Sequence, residues 1–80
     1  MNRPENLSIL IIDDEYLVRV GIRETINWEA YNFRISGEAS NGEEGLALAK
    51  AQKPDIIITD IRMPFMDGLE FMAQLREAGL

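Results

Sequence analysis

Three short apolar runs punctuate the chain, each closing on polar residues. Leu7 to Ile12 (LSILII) is nearly continuous, five of its six residues being Leu or Ile. That is the signature of a strand covered on both faces, as in a parallel sheet. Phe33 to Ala39 (FRISGEA) places Phe33, Ile35, Gly37 and Ala39 at alternate positions, which predicts a second strand with one more polar face, nearer a sheet edge. Asp55 to Asp60 (DIIITD) carries three consecutive Ile and repeats the two-faced pattern of the first run.

The stretches between them have helical spacing. Glu15 to about Ile26 puts Leu17, Val20 and Gly21 on one face, widened by Ile22 and Ile26. Asp14 is placed to act as its N-cap, with Glu15 in the favourable first turn and Asn27 at its end. Trp28 to Asn32 reads as a loop with two large aromatics serving as packing anchors. Asn41-Gly42 is a turn signal ahead of a second helix, Glu43 to about Lys53. Its small residues Gly45, Ala47 and Ala49 permit close approach to a sheet, Lys50 and Lys53 suit its C-terminal end, and Pro54 stops it. After a loop from Arg62 to Gly68, a third helix from Leu69 to about Ala78 presents Leu69, Met72 and Leu75 inward.

The order is β-α-β-α-β-α. Such alternation predicts right-handed crossovers and a parallel sheet with helices on both faces. Residues 1–6, polar and containing Pro4, read as a disordered lead-in. Repeats and low-complexity stretches are absent.

Composition narrows the picture only a little. Eighty residues allow one small domain, and the absence of Cys removes disulfides and thiolate metal sites. A net charge of −6 argues against this segment gripping nucleic acid, which calls for a basic face. The apolar start is short and runs at once into Asp13-Asp14-Glu15, so it is neither a signal peptide nor a membrane span. A cytoplasmic protein is the expectation.

The chemistry lies where the strands end. Ile12 runs into Asp13-Asp14, and Thr59 into Asp60. Ligands of open α/β sheets bind outside the carboxyl ends of the strands. If the first and third strands are neighbours, about 4.8 Å apart, three carboxylates share one cleft and repel one another. A hard divalent cation resolves that, and Mg²⁺ favours one or two carboxylates together with waters and phosphate oxygens. The plain structural alternative is that such an Asp merely caps the next helix, a role open to Asp14. An Asp-Asp pair alone is weak evidence. A second strand ending in Asp, then Met63-Pro64 and Asp67-Gly68, makes coincidence much harder.

At those residues the chain resembles the receiver (CheY-like) domains of bacterial two-component response regulators. The run IIDDE, the run ITDIRMPFMDGLEF and Asn41-Gly42-Glu43-Glu44 all stand in register with the family's motif, and the resemblance covers residues 7–80. It implies a partial flavodoxin-like, doubly wound parallel sheet whose full strand order is 2-1-3-4-5. It also implies that Asp60 takes a phosphoryl group from a histidine kinase. Asp14 would bind Mg²⁺ directly and Asp13 through water, with Asp60 and the Arg62 backbone carbonyl as further ligands. Met63, Pro64, Asp67 and Gly68 would shape the loop. Carboxylate attack gives an acyl phosphate, and the main requirements are an in-line approach and neutralised phosphoryl oxygens.

The resemblance also marks what these 80 residues lack: strands four and five, and with them the family's Ser or Thr and its Lys. The sequence thus reads as a truncated receiver domain over 1–80, with any output domain beyond residue 80. Thr59 and Lys53 do not stand at the missing positions, so these 80 residues are expected to be phosphorylated and to switch less efficiently than the parent. Strand three would then be an exposed apolar edge, which predicts a homodimer or swapped oligomer. The segment INWEAYNF (26–33) resembles the receivers that precede AraC-type helix-turn-helix output domains, so the parent would regulate transcription while this segment touches no DNA.

Other readings fit some of these residues. One is a non-switching structural or dimerising fragment. Another is a Mg²⁺-dependent phosphatase with an Asp nucleophile, which calls for a second Asp where Arg62 stands. Dinucleotide binding is disfavoured by the acidic, Gly-poor turn after strand one. As a receiver, the chain is a signalling phosphoacceptor rather than an enzyme.

Overall fold

The computed structural model describes residues 6–60 and 68–79. Its elements follow the expected alternation: β1 (Leu7–Ile12), α1 (Tyr16–Thr25), a 3₁₀ turn (Trp28–Tyr31), β2 (Phe33–Ala39), α2 (Gly42–Gln52), β3 (Ile56–Thr59) and α3 (Gly68–Glu77). The three strands form a parallel sheet in the order β2-β1-β3. β1 is therefore central, which explains its unbroken apolar run: Ile9, Leu10, Ile11 and Ile12 are all fully buried.

Leu10, Ile12 and Ala39 face α2 and α3, where they pack with Ala49 and Phe71. Side chains alternate along a strand, so Ile9 and Ile11 lie on the opposite face, as does Glu38 of β2. Fully burying each Ile or Phe is worth about 1.5–3 kcal/mol. The pairing of β1 with β2 slips between Ile9 and Leu10, whose partners are Ile35 and Gly37. Ser36, the extra residue, donates its hydroxyl to the Ile9 carbonyl at 3.2 Å.

Several local expectations change. The N-cap of α1 is Glu15 rather than Asp14, and it makes no side-chain cap hydrogen bond. Asp13 fills the space instead, its Oδ1 accepting from the Glu15 amide at 2.9 Å. α1 buries none of its residues, and Leu17, expected inward, is 79% exposed. On α3 the inner residue is Phe71, 0% exposed, whereas Leu69 and Met72 are exposed. Phe71 and Leu75, one turn apart, share the face that meets α2 and the sheet, and the ring's larger buried area decides the helix's rotation. On α2, Gly45 and Ala49 are buried but Ala47 points outward. Lys53 closes α2 in the left-handed conformation (φ 48°), its amide donating to the Ala49 carbonyl. Trp28 behaves as an anchor: it meets Phe33 edge-on at 6.2 Å and donates Nε1–H to the Ile22 carbonyl. Tyr31, by contrast, is exposed.

Candidate functional site

The carboxyl ends of β1 and β3 come together because those strands are neighbours and end in register, Ile12 opposite Thr59. Asp13 and Asp60 are the first residues past their strands, Asp14 following Asp13, and the first two are each held by one further ladder bond. The Asp13 amide donates to the Ala39 carbonyl at 3.0 Å, and the Asp60 amide to the Ile12 carbonyl at 3.2 Å. Backbone position at the site is thus inherited from the sheet.

The result is a cluster in which Asp13, Asp14 and Asp60 each offer an oxygen within 4.8 Å of the others. Asp14 and Asp60 are exposed and Asp13 is half-buried. Two oxygens on opposite sides of one Mg²⁺ are about 4.2 Å apart, from bonds of about 2.1 Å, so small side-chain rotations would fit all three around one ion. The donor set is entirely hard oxygen, which suits Mg²⁺. Arg62, Met63, Pro64 and Asp67 lie outside the described residues. Gly68 begins α3.

One wall of the site went unnoticed in the sequence. Arg19 of α1 donates Nη1–H to the Asp13 carbonyl at 2.6 Å and Nε–H to Glu38 Oε1 at 3.2 Å. Arg23, one turn further on, bonds the other oxygen of Glu38. Its hydrogen bonds to Glu38, and then to Glu24, hold its guanidinium above the ordinary arginine range. The available signal was slight: two arginines at i and i+4 on α1, and a lone acid on the polar face of β2. At the head of α2, the Asn41 side chain accepts from the Glu44 amide, while Glu44 accepts from the Ser40 hydroxyl and amide. These Ser40 bonds pull the Glu44 carboxyl below its usual value, and the charge of Arg19 adds to that.

Comparison with known proteins agrees with the geometry. The model of the response regulator receiver domain family matches residues 9–79. The nitrate/nitrite response regulator protein NarL of Escherichia coli K12 is 44% identical over 80 residues, all of this chain and 37% of that protein. The receiver domain of AraT, a response regulator from Geobacillus stearothermophilus, superposes with a TM-score of 0.85 at 44% identity, over 90% of this chain and 56% of that one. A two-component transcriptional regulator AraC from Clostridium phytofermentans gives a TM-score of 0.81 at 39% identity, over 90% of this chain and 58% of that one. The chain spans about a third of the length of the curated relatives it matches. No helix among the described residues is long and apolar enough to cross a membrane.

Proposed function

The chain belongs to the response-regulator receiver family, whose general role is to be phosphorylated by a histidine kinase, and from that premise we propose that Asp60 is the phosphoacceptor, served by a Mg²⁺ site at Asp13 and Asp14. The observation that carries this reading is the meeting of the three carboxylates at the ends of two adjacent parallel strands. Asp14 and Asp60, both exposed and each offering an oxygen to the cluster, would be direct ligands, and the Arg62 carbonyl would add another. Asp13, with one oxygen already accepting from the Glu15 amide, suits a bond through water.

A carboxylate oxygen of Asp60 attacks the phosphorus of a phosphohistidine. The new P–O bond forms as the P–N bond breaks, and the imidazole leaves with a proton from solvent. A Mg²⁺ held by Asp13, Asp14 and Asp60 would supply positive charge against the phosphoryl oxygens. Asp60 is held for this by its own amide's bond to Ile12. In the parent protein the modification would control transcription through an output domain, as the regulator relatives suggest. The whole is the behaviour of a cytoplasmic signalling domain.

The chain's own partner is proposed to be a second copy. β3 is an edge of the described sheet, and Tyr16, Leu17, Leu69 and Met72 are exposed apolar residues on the flanking helices.

The test of the main reading uses acetyl phosphate and Mg²⁺. The protein is expected to gain one phosphoryl mass, stable in acid and labile in base, and Asp60→Asn to gain none. A mass gain that persists in Asp60→Asn, or none in the unaltered protein, refutes it.

A further inference from the structure

Arg19 meets the acidic cluster through the backbone. Its guanidinium donates to the Asp13 carbonyl at 2.6 Å, a close charge-assisted hydrogen bond, and at the same time to Glu38 on β2. Only 14% of its side chain is exposed, and its cation lies 5.5 Å from the centre of the Tyr16 ring. Its role matters more because α1 buries none of its residues. Beside half-buried Val20 and Ile22, the helix is tied to the sheet by polar bonds, Arg19 and Arg23 both gripping Glu38. One side chain thus ties together the helix, the central strand's end and β2.

We infer that Arg19 is a positioning residue for the cation site: it fixes the Asp13 carbonyl, and so the turn that presents the Asp13 and Asp14 carboxylates to Asp60, and couples that turn to the seat of α1. This rests on the reading of the three carboxylates as a cation site. Arg19 is itself a cation, so long-range electrostatics alone would make its removal favour a bound metal. A positioning role demands the opposite, because a loosened turn holds the ligands apart more of the time. The two accounts therefore differ in sign. Coupling is also reciprocal: a metal that needs the ordered turn must in return steady α1 through the same bond.

The experiment titrates the 80-residue chain with Mn²⁺, a divalent ion of similar oxygen preference, and follows loss of the free-ion EPR signal. Arg19→Met is expected to weaken binding about ten-fold, the scale of lost support behind a metal ligand, while its circular dichroism stays native. Arg23→Met loses the same Glu38 partner without touching Asp13, and is expected to bind as the unaltered protein does. Amide exchange in Tyr16–Thr25 should slow when Mn²⁺ is added to the unaltered protein and not in Arg19→Met. Unchanged or tighter Mn²⁺ binding by folded Arg19→Met overturns the inference. Should that variant not fold, Arg19→Lys decides: its single ammonium cannot hold Glu38 and the Asp13 carbonyl in one fork, so unweakened binding there overturns it too. If the unaltered protein shows no Mn²⁺ binding that Asp14→Asn abolishes, the cation-site reading itself has failed, and the role of Arg19 falls with it.

Discussion

Gly45 lies against Ile12 with no room for a side chain. A Cβ at Gly45 would fall closer than 3.0 Å to both Cδ1 and Cγ1 of Ile12. Ile12 is fully buried in the central strand and is the residue immediately before Asp13. The close approach of α2 is therefore set one residue away from the acidic cluster.

Gly45→Ala is expected to destabilise the protein by about 1–3 kcal/mol, the usual cost of overpacking a tight core. Cγ1 is bonded directly to the branched Cβ of Ile12, so moving Cδ1 alone leaves the clash at Cγ1. Gly37→Ala is the contrast, because the atoms nearest its Cβ belong to the flexible amide end of Gln52. Urea unfolding of both variants checks this; equal midpoints would show that α2 shifts without cost.

A second prediction concerns the far end of β3. Asp55 accepts from the amide of buried Ser8 at 2.7 Å and from its hydroxyl at 3.2 Å, and the Asp55 amide donates back to the Ser8 carbonyl and hydroxyl. Asp55→Ala leaves buried donors without their acceptor and is expected to cost about 1–3 kcal/mol. Asp55→Asn keeps an acceptor and should cost less. Chemical denaturation measures both, and a harmless Asp55→Ala would mean that Ser8 finds other partners.

These pairs also show where sequence patterns lose their grip. The bounds of β1 and β2 follow directly from the apolar run and the alternation, and the acidic cluster could be read because all three acids stand just past strand ends. The seat of the helices could not. Apolar residues at 69, 71, 72 and 75 define two overlapping faces on α3, and only the space beside α2 selects the one with Phe71. α1 looks amphipathic, and it half-buries Val20 and Ile22, but Arg19 and Arg23 also tie it to Glu38 on another element. Ion pairs between distant residues leave no periodic trace. Arg62, Met63, Pro64 and Asp67 lie outside the described residues, so the loop reading of that stretch stands on the motif alone.

Glu44 should contribute to the pH dependence of stability. Hydrogen bonds from Ser40 lower its folded-state pKa below the ordinary 4.5. Its stabilising contribution is therefore complete above about pH 4.5 and is lost as pH falls through the lowered folded value. Glu44→Gln removes this titration. The stability gap between the unaltered protein and Glu44→Gln is expected to shrink from about pH 6 to about pH 3. A gap that stays constant over that range would rule the contribution out.

The proposed self-association can be separated into its two surfaces. Leu17 is 79% exposed on α1, so Leu17→Gln removes apolar surface from solvent contact without touching the core. Its effect on monomer stability should stay within about 0.5 kcal/mol. If copies meet through the helix faces, Leu17→Gln weakens association in sedimentation runs over about 10–100 μM, a range chosen to populate a weak dimer. If they meet instead by strand addition at the β3 edge, Leu17→Gln has no effect. Amide exchange within 56–58 then slows as protein concentration rises, because the outer side of β3 becomes covered by the new pairing. A monomer throughout the range, with exchange in β3 independent of concentration, removes both surfaces as interfaces.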